Sequence, residues 1–516
     1  MAKDVERTEG AQARADRPAG AGGSWALVLG FACYQAFALS LFYLGENVSI
    51  PLGSSTLERV DLVALLAFLL VSLLAVRALT PRARAAVLSM PLLWCYAVLL
   101  VAGSLLFSLA GGPAAALAQG ALVGLPLGLT LCAWGRALGA GEVLRSIGCV
   151  FVGSLAAALL CFAAAVEPFG VLPPALKLLP LGSALALQVL SGAPARPKPF
   201  SPAAGDGAPA AETRPEAGRL ALADVLSTKE QRETAARLSV KIVWGTLLFG
   251  MTAGFMETFA SEPGGAALPG AWATFVLLAL FCAAAVQLIE SGGFEGDQPR
   301  TSDPSACAGR LEAVYRLAIL VMMAGFLFVP MLEDFSLSGA SIVLAGYLGL
   351  FCVLVCLYMV MSAIEAQDAA LSFSLGFASL YGGELLGVAL GNLVEPLGTA
   401  TSIPYVASAL AGLCALFAYL FLFTGQDFHA LSAVVRTVDR LEAACEAIAR
   451  DSSLSARESE ILSLALRGRS GERIASELFI SKSTVDTHLR RIYAKTGVHG
   501  RQELIDLAER TMEGLG

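Results

Sequence analysis

Residues 454–507 read "LSARESEILSLALRGRSGERIASELFISKSTVDTHLRRIYAKTGVHGRQELIDL", and this stretch decides how the end of the chain folds. Ser455 and Glu458 have the S-x-x-E spacing of a capping box. There a hydroxyl takes the amide three residues on, and the carboxylate reaches back to the cap's own amide. The first helix opens at that box, buries Ile461, Leu462 and Ala465, and closes at Gly468. A second helix carries Ile474, Ala475 and Leu478. A tight turn through Phe479–Ile480 leads to Ser481, a good N-cap. The third helix runs from about Lys482 to Lys495 and stops at Gly497; a fourth begins near Gly500.

The third helix is two-faced. Val485, Leu489 and Ile492 follow at i, i+4, i+7 and point to a core. Ser483, Asp486, Thr487 and Arg490 lie opposite, flanked by Lys482, Thr484, His488, Arg491 and Lys495. Residues 481–501 hold five Lys/Arg against one acid. A short helix with a basic outer face, entered through a tight turn, fits the major groove of double-stranded DNA.

The strings "LSARESEIL" and "ISKSTVDTHLRRIYAKTGV" resemble the LuxR-type helix-turn-helix over about 55 residues. The resemblance implies that Asp486, Thr487 and Arg490 read bases. It puts Thr484, His488 and Lys495 where backbone contacts are usual, with Lys482, Ser483 and Arg491 beside them. Position 486 is often Lys in that family and is Asp here, which alters the expected sequence preference; a carboxylate accepts from a cytosine amino group. Thr496 stands where Leu is common, and Arg469–Ser470–Gly471 departs slightly from the usual Ser-Asn pair. One such module reads few base pairs, so a homodimer on DNA is expected.

Moving upstream, residues 427–450 place Leu431, Val434, Val438, Leu441, Cys445 and Ile448 at 3, 4, 3, 4, 3 spacing. That is either a short coiled-coil seam pairing two chains or a helix packed against its own domain.

Further upstream the composition changes. Of the 516 residues, 56% are apolar and 15% charged. Mean hydropathy is +0.70. A soluble domain carries about 25% charged residues. A membrane helix needs about 20 mostly apolar residues. Candidates lie near 25–45, 61–80, 86–109, 114–135, 147–166, 170–190, 239–260, 269–289, 312–332, 338–363, 370–393 and 404–424. That makes about twelve spans, of which the third and sixth are interrupted by Pro91, Pro173, Pro174 and Pro180. The expectation is an all-α chain. Residues 1–24 form a polar N-terminus, 25–190 and 237–424 two membrane halves of about six helices each, and 191–236 a linker. Residues 425–450 form a helical connector and 451–516 the DNA-binding domain. The linker contains "GAPARPKPFSPAAGDGAPAAETRPEAGR", too rich in Pro, Ala and Gly for a span. Residues 1–24 are too polar, and the first apolar run too long, for a cleavable signal peptide.

Basic residues set the orientation. Arg7, Arg14, Arg82, Arg84, Arg136, Arg145, Arg214, Arg232 and Arg310 fall in alternate loops. The opposite loops hold Glu46, Glu167, Glu262, Glu333, Asp334 and Glu395, with only Arg59 and Lys177 as bases. This puts the N-terminus, linker and C-terminus in the cytoplasm and the protein in the cytoplasmic membrane. The five tryptophans, Trp25, Trp94, Trp134, Trp244 and Trp272, fall near span ends, as interfacial tryptophans do. Six spans, a cytoplasmic linker and six spans resemble the major facilitator superfamily. The loop "VRALTPRARAAV" lacks that family's Gly-Asp-Gly-Arg signature, which argues against active transport.

Ionisable groups inside a bilayer are expensive and mark function. Glu384 sits mid-span beside Gly382 and Gly383, with Tyr381 one helical step away; Glu257 lies late in the seventh span. Tyr34, Gln35 and Gln119 are polar points of the first half. Of these, Tyr34, Gln35, Glu257, Tyr381 and Glu384 are the candidates for contact with an unidentified small-molecule ligand. The eleven cysteines lie mostly in apolar runs, where they pack as small hydrophobes. No metal, cofactor or catalytic constellation is legible, and no enzyme is expected. The reading is a membrane-anchored, ligand-responsive transcription regulator. Its alternative is a major-facilitator-like transporter with a regulatory DNA-binding appendage.

Overall fold

The computed structural model describes residues 21–52, 55–109, 112–140, 143–168, 171–192, 229–259, 261, 264–268, 270–290, 304–329, 339–365, 368–394, 403–422, 424, 441, 443–466, 469–478 and 480–514. The N-terminal segment, most of the linker and the first half of the connector lie outside these residues.

All twelve apolar stretches are helical. The first half comprises α1 (Ala21–Tyr43), α2 (Val60–Ala78), α3 (Pro81–Val87), α4 (Met90–Leu109), α5 (Pro113–Gln119), α6 (Leu125–Gly139), α7 (Val143–Val166), α8 (Leu172–Leu176) and α9 (Leu179–Gly192). The second half comprises α10 (Lys229–Phe259), α11 (Ala271–Glu290), α12 (Pro304–Phe328), α13 (Gly339–Glu365), α14 (Ala369–Val394) and α15 (Ile403–Phe417). Among the described residues, ten helices are long and apolar enough to cross a membrane. The expected third span is α3 and α4, bent by 52° at their junction; counted as one span it makes eleven. The twelfth stretch is helical from Ile403 through a π-helical turn, Ala418–Leu422. Prolines explain the break at Pro91 but do not prevent the sixth span, which runs Leu172–Gly192. The fourth is continuous through a π-helical turn, Gly120–Gly124, between α5 and α6.

Leu29, Val71, Val98, Leu159, Leu185, Leu280, Leu327 and Leu410 are exposed on the outside of the bundle, as lipid-facing side chains are. Within it, helices approach through small residues, the usual packing device where water supplies no driving force. The tightest approach joins α10 and α14. A Cβ on Gly250, Gly254, Gly383 or Gly387 would come within 2.0 Å of the carbonyl oxygen of Leu380, Glu384, Leu247 or Met251 respectively. Glycines four residues apart on both helices thus let the two backbones touch, and this contact positions Glu257 and Glu384.

The two halves meet at both ends. At one end the hairpin β1 (Ile50–Leu52) and β2 (Ser55–Leu57) caps the bundle. Beside it Asn47 N donates to Gly265 O at 2.9 Å, and Glu58 N to Asn392 Oδ1 at 2.6 Å. At the other end Asp368, at the start of α14, accepts from Arg136 Nε at 2.7 Å and Arg84 Nη1 at 3.3 Å. Burial alone would raise the Asp368 carboxyl. The two guanidiniums outweigh this and hold it below the usual range.

Trp134 departs from the expected interfacial position. It is fully buried, donates to Ser183 Oγ at 2.9 Å, and meets Phe31 edge-on at 5.9 Å. Its indole points from α6 into the bundle, where Ser183 of α9 satisfies the N–H. Trp25, Trp244 and Trp272 are exposed.

The C-terminal domain packs four helices: α16 (Ala456–Leu466), α17 (Gly471–Glu477), α18 (Lys482–Thr496) and α19 (Arg501–Gly514). Its core holds Ile461, Leu462, Ile474, Val485, Ile492 and Leu504. Leu441 and Cys445 are buried against Leu466 and Met512, and Ile448 joins the core. The described half of the 431–448 seam packs on its own domain. Leu431, Val434 and Val438 lie outside the described residues. The last apolar turn ends at Leu422, so only residues 423–440 separate it from Leu441.

Candidate nucleic-acid interface and buried acidic cluster

The capping box forms as the spacing predicts. Ser455 Oγ accepts from Glu458 N at 3.3 Å, and Ser455 N donates to Glu458 Oε2 at 2.8 Å. The same Oε2 accepts from Lys495 Nζ at 2.7 Å, and that ammonium also donates to Ser453 O at 3.1 Å. Burial would raise Glu458, but Lys495 and the Ser455 amide hold it at about 2. One carboxylate thus caps α16 and pins the last turn of α18. Arg457 Nη2 donates to Leu478 O at 2.9 Å, joining α16 to the end of the second helix.

Ser481 caps α18, accepting from Thr484 N at 3.1 Å, and Gly497 ends it in the left-handed region at φ 71°. A side chain at 497 would be strained there, which is why glycine closes this helix. Val485 and Ile492 are fully buried and Leu489 packs beside them, so the two-faced reading of α18 holds.

Lys482, Ser483, Thr484, Asp486, Thr487, Arg490 and Arg491 are exposed along the outer face. Several are engaged within the domain. Thr487 Oγ1 donates to Ser483 O at 2.8 Å, Ser483 and Thr484 share Ser481 Oγ at 2.7 Å, and Lys482 reaches Glu472 Oε1 at 2.9 Å. Asp486, Arg490 and Arg491 have no hydrogen-bond or ion-pair partner among the described residues. His488 is half-buried, with Nδ1 enclosed and without a partner among those residues.

A model of the family described as "Bacterial regulatory proteins, luxR family" matches residues 452–508. The C-terminal segment is a LuxR-family domain. The HTH-type transcriptional regulator MalT of Yersinia pestis is 40% identical over 67 residues, and that of Yersinia enterocolitica 39%. These segments are 13% of this chain and 7% of the relatives' length, so the likeness is confined to this domain. The LuxR-family match encloses the capping box, α18 and every outer-face residue named above. Over the helix bundle, similar solved structures include the major facilitator superfamily transporter FucP in the outward conformation (TM-score 0.44, 14% identity, 78% of this chain and 100% of that one). Another is the human organic anion transporter MFSD10 (TM-score 0.39, 15% identity, 81% and 97%).

In the bundle the five candidate residues separate into groups. Tyr34 is buried and donates to Leu127 O at 3.4 Å. Gln35 joins the halves elsewhere: it accepts from Ser154 Oγ at 2.6 Å and donates to Cys352 Sγ at 3.7 Å. Cys352 is therefore part of a polar network as well as of the packing. Glu257, Tyr381 and Glu384 fall together. Tyr43 donates to Glu257 Oε1 at 2.9 Å and Tyr347 to Glu384 Oε2 at 2.6 Å; Tyr381 stacks on Phe42 at 6.2 Å. Arg59, read as a loop base, is fully buried beside them and donates to Phe42 O at 2.9 Å and Ala267 O at 3.1 Å. It adopts φ 55° at the cap of α2. Left-handed backbone at a bulky residue is strained and persists only where the surroundings hold it. Tyr43 escaped the sequence reading because tyrosine at a span end is ordinary, and Tyr347 because it lies within an apolar run. No local signal points to them, because they lie 214 and 37 positions from the carboxylates they meet.

Proposed function

We propose that this protein is a membrane-anchored transcription regulator. Its LuxR-family domain reads double-stranded DNA with the outer face of α18, and its helix bundle responds to a small-molecule ligand. The observation that carries the reading is the joining, in one chain, of a LuxR-family domain with an exposed Asp486–Arg490–Arg491 surface to a bundle with ten membrane-length helices among the described residues. In this reading Asp486, Thr487 and Arg490 face base edges. Ser483, Thr484, His488 and Arg491 lie along the phosphates, with Lys482 and Lys495 exchanging their internal carboxylates for phosphate. The linker and both termini are cytoplasmic, as the alternation of basic loops supports. On DNA the domain acts as a homodimer, for which the surface of α19 is available. The ligand acts by binding two conformations of the bundle with different affinity, the requirement for any shift between them.

Chromatin immunoprecipitation of the full-length protein beside an Arg490→Ala control tests this reading. Discrete peaks that vanish in the control are expected. Identical profiles across growth conditions would overturn it.

A further inference from the structure

The buried cluster beneath the hairpin holds more carboxyl groups than basic ones. Glu58, Asp61, Glu257 and Glu384 surround a single guanidinium, Arg59. Two of the four are served locally. Glu58 takes Asn47 Nδ2 at 2.9 Å and the Ser261 hydroxyl, and Asp61 takes Val48 N at 3.3 Å and Arg59 at 3.8 Å. Glu257 and Glu384 each receive one phenol proton, from Tyr43 and Tyr347. Glu257 is completely buried, yet its Oε2 has no hydrogen-bond partner among the described residues. Buried polar groups are nearly always paired, so an enclosed carboxylate oxygen left open needs a reason.

The remaining capacity of this cluster lies mostly in acceptors, with Arg59 Nε the open donor among the described residues. Tyr43 and Tyr347 have spent their hydroxyl protons on carboxylates and offer oxygen lone pairs. Arg59 Nη1 and Nη2 donate to the carbonyls of Ala267 and Phe42, which brace the two halves, and its Nε, without a hydrogen bond among the described residues, faces Asp61 Oδ2 at 3.8 Å, so the guanidinium is already held by the cluster's own oxygens. What is left accepts hydrogen bonds and attracts positive charge. Aromatic rings enclose it: Phe42 and Tyr381 stack at 6.2 Å, and Phe275 stands edge-on to Tyr43 at 6.5 Å. Ring faces attract cations, most strongly when desolvated.

We propose that this cluster is the ligand site of the bundle and that its ligand is an organic ammonium, held by Glu257 and Glu384 among the rings of Tyr43, Tyr347 and Tyr381. The proposal rests on the ligand-responsive reading above and names the chemistry of that ligand. An anion would meet carboxyl groups on several sides. A neutral polyol would bring no positive charge to meet them. An ammonium group supplies both the charge and the donors that the open carboxylate oxygen lacks.

The test uses the full-length protein in lipid nanodiscs and follows thermal stabilisation. The probes are methylammonium, tetramethylammonium and 2-phenylethylammonium, with 2-phenylethanol and 3-phenylpropionate as neutral and anionic counterparts. At least one ammonium is expected to bind ten times more tightly to wild type than to Glu257→Gln or Glu384→Gln, and its counterparts not to bind. If those variants do not fold, Tyr43→Phe and Tyr347→Phe replace them, with the same expected loss. No stabilisation by any ammonium, or equal stabilisation of wild type and variants, overturns the site. Immunoprecipitation with and without the bound ammonium separates the two readings. Genomic peaks without ammonium binding defeat only the site, and ammonium binding without peaks defeats only the regulator.

Discussion

Replacing Glu458 by Gln keeps the cap of α16, since an amide oxygen still accepts from Ser455 N, but removes the charge that holds Lys495. The carboxyl falls from its ordinary 4.5 to about 2 in the folded domain. At 1.36 kcal/mol per pH unit that corresponds to roughly 3.4 kcal/mol. Lys495 is 40% exposed, so solvent screens the pair and about 1–2 kcal/mol is expected to survive. The folded carboxyl titrates below the unfolded one. Its contribution is therefore complete above about pH 4.5 and is lost as pH falls toward 2. The assay is hydrogen exchange with mass spectrometry on the full-length protein in nanodiscs, following peptides that cover 482–496. At pH 7 the variant should exchange there about 5–30 times faster, the factor that 1–2 kcal/mol implies. At about pH 3 the gap between wild type and variant should narrow. Unchanged protection at pH 7 would refute the claim that this ion pair anchors α18, and Lys495 would then be free for phosphate alone.

Arg490→Ala is expected to cost about 1–3 kcal/mol of discrimination between operator and random DNA, measured by competition binding. Arg491→Ala should instead weaken all sequences alike and flatten the salt dependence by about one unit, read from titrations at several ionic strengths. Asp368→Asn leaves the buried Arg84 without its counter-charge and should destabilise the bundle by about 1–3 kcal/mol, with Asp368→Glu recovering part of the loss in thermal melts. Gly254→Val forces a side chain onto the backbone of α14 and should sharply lower the melting temperature and yield, whereas Gly148→Ala, which meets nothing within 4 Å, should change neither.

Much of this architecture was legible because it is local. A capping box, an N-cap and an i, i+4, i+7 stripe all act within one or two helical turns, and in the C-terminal domain each forms as its spacing implies. Apolar run lengths located all twelve helical stretches for the same reason. What hydropathy cannot see is where a chain folds back. Arg59 reads as a loop base until the 46–58 segment doubles over and carries it inside. Trp134 reads as an interfacial residue until α6 turns it toward Phe31 and Ser183. The seam at 441–448 has coiled-coil spacing, yet the same spacing serves a helix lying on its own domain. The four touching glycines of α10 and α14 were visible as small residues four apart, but their partner helix was not. Glu257 and Glu384 lie 127 positions apart, and only that partnership brings them to one cluster.

The short connection after Leu422 has a consequence for the genome rather than the protein. Residues 423–440, even drawn out fully, span at most roughly 65 Å. In the proposed orientation the LuxR-family domain therefore searches a shell only a few nanometres deep beneath the lipid. It cannot diffuse to its operator; the operator must drift to it. Genes under its control would then be read only while their stretch of chromosome brushes the membrane, and moving an operator to a locus held in the cell interior should silence the response with no residue changed.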